Sequence, residues 1–396
     1  MTDIADAPRI GELVETSVIE ETVQRLYGSE PEVRFDRVVL MATRYFAVPM
    51  GALALVQGDA VWLKSRIGFD IAEMELPGTF AQLVTSGSEP VVVVDATTDP
   101  RVSDSMRATG IRFFAGAPLI APGGVTVGAF MIYDVEPRAS FAPEETARLV
   151  LVAEWLEEEI HKQQEHERAA AVQASLLPVT GVDVPGYEIA GACVPSRSVG
   201  GDFYDWYLTH DGLALTMADV MGKGVGSAII AATVRAVLRG AGAGRSVLNT
   251  VARAADLLDQ DLGGSGSFVT LFHGRLRPID GTIRYVDAGH GLSLVLRSDG
   301  STQRLSSSDL PLGTGLTDQW TRHQVLLAPG DTLAVFSDGV LDLYDGSLAA
   351  VDRVAELIRS AESPEAAVAS VAALAKAATD IDDVTIVILR RKENGA

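Results

Sequence analysis

The stretch FAPEETARLVLVAEWLEEEIHKQQEHERAAAVQASLLP, residues 141–178, contains no glycine and ends at a proline. After its first turn nothing in it breaks a helix before Pro178, so it separates whatever precedes it from whatever follows. Leu149, Ala153, Leu156, Ile160, Gln163, Glu167, Ala170, Ala174 and Leu177 recur at a 4-3 spacing, which puts them along one side of a long helix. That seam is apolar at its start and polar in the middle. Two readings follow. One is a parallel dimeric coiled coil, favoured by the length and the heptad spacing; the other is a linker helix packed on its own domain. A polar patch in such a seam lowers stability, which suits a connector that shifts register or melts.

A chain of 396 residues, 47% hydrophobic and 21% charged, has room for two or three globular domains. The organisation expected is an N-terminal extension over 1–19, a first domain over 20–145, the helical linker over 146–178 and a second domain over 179–392. The only cysteine, Cys193, allows neither a disulfide framework nor a thiolate zinc site and fits a reducing cytoplasm. MTDIADAPRIGELVE has no basic region followed by an apolar one, so it does not read as a signal peptide. Phe113–Tyr133 is uncharged and long enough to span a bilayer, but Pro118 and Pro122-Gly123-Gly124 interrupt it, and two strands joined by a loop are expected instead. A formal net charge of -21 disfavours nucleic acid and anionic membranes as partners. Colloidal solubility accounts for most of that charge, and part of it falls in motifs that look like a metal site.

Residues 20–145 alternate helical and strand patterns. FDRVVLMATRYF has helical apolar spacing, ALALVQGDAVWLKSRIG reads as a hairpin turning near Gly58-Asp59, and Val91–Val94 is a short buried strand before the turn-rich DATTDPRV. FFAGAPLIAPGGVTVGAFMIYD supplies two more strands. These pieces, in this order, resemble a GAF domain over about the first 160 residues. The resemblance implies a sheet with helices and either a small-molecule pocket or a purely dimerising role. With no cysteine and no histidine before His161, covalent bilin attachment is excluded and a histidine-ligated haem is disfavoured.

Four acidic motifs punctuate the remainder: VGGDFYD at 199–205, ADVMGKGVGSA at 218–228, FSDG at 336–339 and DDVT at 382–385. Each borders an apolar run, so the carboxylates sit at strand ends where several can converge. One Asp-Gly pair alone reads as a turn. Four such motifs suit hard divalent cations, which need several oxygen ligands. Together with QASLLP, SFVTLFHGRL, AGHG, LPLGTG and the continuations FSDGVLDLYD and DDVTIVIL, they resemble the metal-dependent, protein phosphatase 2C-like (PPM-type) phosphatases, in the bacterial SpoIIE/RsbU-type branch. The resemblance implies an α+β chain whose C-terminal domain is a four-layer αββα fold holding two manganese or magnesium ions. It makes Asp219 the bridging ligand, the Val220 carbonyl a ligand of one ion, Asp338 and Asp383 ligands of the other, and puts Asp202 at the second ion directly or through water. The implied reaction is in-line attack of an activated water on a phosphorylated protein, by analogy an anti-sigma-factor antagonist of the STAS type.

Gly200-Gly201 and Gly222, Gly224 and Gly226 flank the cluster, where tight backbone serves both turn geometry and close approach to a ligand. Met221 stands where eukaryotic relatives carry a histidine thought to be the general acid, so the leaving oxygen takes its proton from water. Arg197 has the family's spacing for a phosphate-holding arginine, but its surroundings match poorly, leaving a phosphate ligand and a solvent-exposed arginine both open. His290 in AGHG is read as structural. An alternative to the enzyme is a catalytically silent sensor-scaffold binding the same partner; a small-molecule phosphoesterase shares the metal chemistry.

Overall fold

The computed structural model describes residues 32–393, apart from 122–123, 179–181, 243, 306–308, 317–318 and 380. The expected 1–19 extension lies outside the described residues. The chain divides into two units, Met1–Glu165 and His166–Ala396.

The first unit runs α1 (Val33–Tyr45), β1 (Met50–Gln57), β2 (Ala60–Ile67), β3 (Glu73–Glu75), α2 (Phe80–Thr85), β4 (Val91–Val93), α3 (Asp104–Arg107), β5 (Phe113–Ile120), β6 (Thr126–Asp134), and then the start of α4 (Pro143–Leu176). Its six strands form one sheet in the order β3-β2-β1-β6-β5-β4, every neighbouring pair antiparallel. Gln57 pairs with Ala60 around Gly58, whose φ of 56° is the left-handed conformation a two-residue hairpin asks of its first central residue. The uncharged 113–133 stretch is the β5–β6 pair, as its internal prolines and glycines imply. Among the described residues no helix is long and apolar enough to cross a membrane.

Successive side chains of a strand point to opposite faces, and both faces of this sheet are covered. Leu53, Leu55, Phe113 and Phe130 face α1 and α4, whereas Ala52, Leu63, Phe114 and Met131 face α2 and α3. Leu149, Ala153, Leu156 and Ile160 are between 0% and 7% exposed and belong to the first of these cores. The apolar half of the 4-3 seam is therefore spent on the unit's own sheet, and its spacing needs no second copy to explain it. Gln163 lies outside the described side chains.

The second unit begins with the end of α4. It continues through β7 (Tyr187–Val194), β8 (Phe203–Thr209), β9 (Gly212–Val220), α5 (Val225–Ala241), α6 (Val247–Ser265), β10 (Val269–Arg277) and β11 (Thr282–Ala288). There follow β12 (Ser293–Leu296), β13 (Thr302–Leu305), β14 (His323–Leu326), β15 (Thr332–Phe336), α7 (Gly339–Asp342), α8 (Ala350–Ser360), α9 (Pro364–Ala377) and β16 (Val384–Arg391). Two five-stranded sheets result, β14-β11-β10-β9-β8 and β13-β12-β15-β16-β7. Tyr204, Leu215, Phe272, Val295, Val335 and Val387 fill the space between the sheets. The outer faces are closed by α5 and α6 on the first sheet, through Val234 and Leu258, and by α8 and α9 on the second, through Ile358 and Val371. Helices, sheet, sheet, helices is the four-layer arrangement expected. Asp205 fixes α5 to β8: only 2% exposed, it accepts from Arg239 at 2.5 and 2.6 Å and lies 3.6 Å from Arg235.

Candidate metal centre

Each sheet delivers two aspartates from neighbouring strands to one end. Asp202 immediately precedes β8 and Asp219 lies near the end of β9; the pairing of Phe203 with Ala218 sets the two side by side. In the other sheet Asp338 follows β15 and Asp383 precedes β16, with the Ser337 N–H donating to the Thr385 carbonyl at 2.9 Å. Gly201 joins the pairs: its N–H donates to Asp383 Oδ2 at 2.8 Å, and its carbonyl accepts from Val220 N at 3.3 Å.

The charges collected here repel one another. Burial, and then the adjacent Asp219, raises the Asp202 carboxyl well above its ordinary range. Burial, Asp338 and Asp382 push Asp219 up to about 6. Partial burial, with Asp382 and Asp342 beside it, raises Asp338 as well. Asp202 is 1% exposed, and its Oδ2 is buried without a hydrogen-bond partner among the described residues. A buried carboxylate oxygen with no donor, inside a cluster of like charges, fits a hard cation. Among the described residues no group of three or more acidic, histidine or cysteine side chains forms a metal cage by itself. The fit is thus to hard ions that draw carboxylates singly from separate strand ends and complete their shells with backbone carbonyl and water, as magnesium does.

The cluster predicts its own pH dependence. The Asp219 carboxyl has a folded value of about 6 against an ordinary 3.8, so its contribution to metal-free stability is fully present below the ordinary value and lost as pH rises through the folded one. Above that window the uncompensated charge is what a divalent ion relieves, and binding requires the deprotonated form. Manganese should therefore raise the melting temperature little near about pH 5 and clearly more near about pH 7.5. Thermal melts with and without the ion check this; equal shifts at both pH values would count against Asp219 as a metal ligand.

Asp383 has other work. Its Oδ1 accepts from the Ser196 N–H at 2.7 Å and the Ser196 hydroxyl at 2.8 Å, while its Oδ2 takes Gly201. The carboxylate thereby organises residues 196–201, with lone pairs to spare for a cation. Two kinds of glycine surround it. A Cβ on Gly200 would fall 2.2 Å from Asp383 Oδ2, and one on Gly201 2.4 Å from the Val220 carbonyl oxygen, so both are close-approach positions. Gly222 and Gly224, with φ of 107° and 89° and open space around them, serve the turn into α5.

Several residues at the site were not singled out in the sequence. Asp382 pairs with Lys223 at 3.0 Å and accepts from the Asp383 N–H at 2.8 Å. Asp342 Oδ2 accepts from the Asp382 N–H at 3.2 Å. The Asp382-Asp383 doublet and the four-residue step from Asp338 to Asp342 were the available signals. Gln173, near the end of α4, donates through Nε2 to the Gly200 carbonyl at 2.7 Å and accepts the Gly200 N–H at 3.1 Å. Beside this clamp Val172, Leu176 and Leu177 face Phe203, Val225 and Ile229 across an apolar hollow of about 240 Å³. Arg197 is exposed and lines a groove of about 720 Å³ with Lys223 and Lys376. His290 is 8% exposed, and burial drives its ring down to about 4, leaving it neutral, while the Phe336 backbone hydrogen-bonds it. That environment is structural.

Residues 209–392 match the family model described as Stage II sporulation protein E (SpoIIE), and residues 30–160 match the GAF domain. The chain is a GAF domain joined to a SpoIIE domain. Protein IcfG of Synechocystis sp. is 30% identical over 206 residues, 45% of this chain and 32% of IcfG. Phosphoserine phosphatase RsbU of Bacillus subtilis is 25% identical over 180 residues, 45% of this chain and 53% of RsbU. The chain thus spans between about a third and a half of the length of these curated relatives. A crystal structure of the RsbU and RsbW domains of Rv1364c from Mycobacterium tuberculosis aligns with a TM-score of 0.47 at 25% identity, over 53% of this chain and 61% of that one. Within the GAF domain, Met50, Phe69, Met74, Phe80, Met131 and Tyr133 line an apolar cavity of about 460 Å³, the size of a small-molecule site.

Proposed function

We propose that the SpoIIE domain is a cytoplasmic, metal-dependent serine/threonine phosphoprotein phosphatase controlled by the GAF domain. Its proposed substrate is a phosphorylated anti-sigma-factor antagonist of the STAS type. The observation that carries the reading is the meeting of four strand-end aspartates and the Val220 carbonyl at one end of two sheets. The name of RsbU, a phosphoserine phosphatase, supports the substrate class.

In this reading Asp219, shared between two manganese or magnesium ions, would hold them together with the Val220 carbonyl and Asp202 on one side and Asp338 and Asp383 on the other. When bound, such ions supply Lewis acidity toward water and phosphoryl oxygen. The chain's own residues do the rest. Ser196 and Gly201 orient Asp383, and Asp382 holds Lys223 at the mouth of the site. Arg197, Lys223 and Lys376 line the neighbouring groove, where an arriving phosphoryl group meets positive charge. Met221, 43% exposed, has no proton to give, so the leaving oxygen is protonated from solvent.

The GAF cavity is read as the sensory pocket for an apolar small molecule. Homodimerisation, if it uses α4, falls to the face where Leu151 and Trp155 are 61% and 45% exposed. Manganese-dependent hydrolysis of para-nitrophenyl phosphate, followed by that of a phosphoserine-bearing STAS protein, tests the assignment. Turnover of both is expected. Turnover of the small ester alone would make this a small-molecule phosphoesterase. Partner binding without turnover of either would make it a scaffold.

A further inference from the structure

A second polar cavity lies at the other end of the β8–β9–β10 strands. From Gly212 to Asp219 the chain is extended strand, at roughly 3.3 Å per residue, which puts about 20 Å between this cavity and the aspartates. It measures about 630 Å³ and is lined by Arg239, Arg245, Arg275, Arg277, Arg284 and Arg322. In a chain with 32 basic and 53 acidic residues, six arginines around one hollow are not a sample of the average surface.

Two of them are neutralised, Arg239 by Asp205 and Arg277 by Asp280. The other four have no carboxylate partner among the described residues. Arg245 and Arg275 donate to backbone carbonyls, of Ala241 at 3.0 Å and of Gly242 at 2.5 Å, while Arg284 and Arg322 are exposed. The pairing of β10 with β11 sets Arg275 directly opposite Arg284, an arrangement of like charges that costs stability unless an anion lies between them. Arg275 Nε is buried with no acceptor, and the Arg275 guanidinium lies against the buried Tyr207 hydroxyl. A Cβ on Gly242 would fall 2.6 Å from that hydroxyl, so the glycine lets the α5–α6 loop come down onto the wall. Ser246 caps the 19-residue α6 at the rim by accepting from Asn249 N, and the remaining first-turn N–H groups add positive potential. One carboxylate, Asp211, also lines the cavity, with the Thr209 hydroxyl donating to it.

We propose that this cavity binds a small molecule carrying two or more phosphate groups, of the size of a nucleotide. Unpaired guanidinium forks match phosphate oxygens two at a time, the volume suits one such ligand, and bridging Arg275 to Arg284 removes their repulsion. The site is independent of the phosphatase reading and shares no residue with the metal centre.

Calorimetric titration of the metal-free full-length chain, in chelator, with pyrophosphate, ATP, inorganic phosphate and adenosine tests this. Pyrophosphate and ATP should bind and adenosine should not, with affinity falling as salt is raised. Equal affinities would assign recognition to the phosphate chain, and a preference for ATP would add the nucleoside; either supports the site. Arg284→Gln combined with Arg322→Gln should weaken binding at least about tenfold without lowering the melting temperature, because neither side chain has a partner to lose among the described residues. Asp219→Asn should leave binding unchanged. No binding of either polyphosphate, binding indifferent to the arginine variant, or binding abolished by Asp219→Asn would each overturn the proposal.

Discussion

Asp219→Asn is expected to reduce manganese-dependent turnover by more than about a thousandfold, about 4 kcal/mol in barrier, while leaving the metal-free chain at least as stable as before. Both halves of that result come from one geometry. Asp219 is largely buried and crowded by Asp338, Asp382 and Asp383, and burial first, then those charges, push its carboxyl up because ionising it there is unfavourable. The amide removes the repulsion and, on the proposed reading, a metal ligand with it. The variant should therefore melt no lower than the parent in chelator, and should lose most of the manganese-induced rise in melting temperature. A residue that merely held the fold together would show the opposite, a lower melt in chelator. Turnover surviving in the variant would remove Asp219 from the centre of the mechanism.

Gln173→Leu carries the next largest expectation. Its side-chain amide both gives to and takes from Gly200, two residues before Asp202. Two such hydrogen bonds are worth about 1–3 kcal/mol together, so losing them should change the manganese concentration for half-maximal activity by about tenfold or more. The shift should appear in metal dependence before it appears in unfolding, because Val172, Leu176 and Leu177 still face α5 across their apolar hollow. Leu176→Ala with Leu177→Ala should act in the same measurement through that hollow. Identical metal titrations for Gln173→Leu, the double alanine variant and the parent would show that the end of α4 does not bias the metal site, and allosteric control by this route would fall.

The strands of the first unit were legible because period-two burial and turn chemistry are written locally, whereas the four-layer architecture came from the resemblance carried by the ordered acidic motifs. Gly58-Asp59 turns the first hairpin, and Asp202, Asp219, Asp338 and Asp383 sit at the borders of apolar runs. What escaped was decided by partners distant in sequence. The 4-3 spacing of Leu149 to Ile160 is the same whether a helix lies on a second helix or on its own sheet, and only Phe113 and Phe130 on that sheet distinguish the two. Gln173 lay off the 4-3 seam, at the start of QASLLP, and nothing at 173 announces a free carbonyl at Gly200. Lys223 and Asp382 are both unremarkable surface charges until β16 carries one to the other.

Asp383 is hemmed in on two sides by residues that have no side chain at all. A Cβ at Gly200 would fall 2.2 Å from its carboxylate, and one at Gly339 2.2 Å from its backbone carbonyl. The chemistry of the centre is thus protected by positions that perform none of it. Under selection for turnover these glycines should tolerate substitution as poorly as the aspartates do. In a lineage released from that selection, an alanine at either place would evict the carboxylate without touching an acidic residue. On the proposed phosphatase reading, loss of a glycine here would be an early genetic mark of a descendant that has stopped being an enzyme while every aspartate still stands in its sequence.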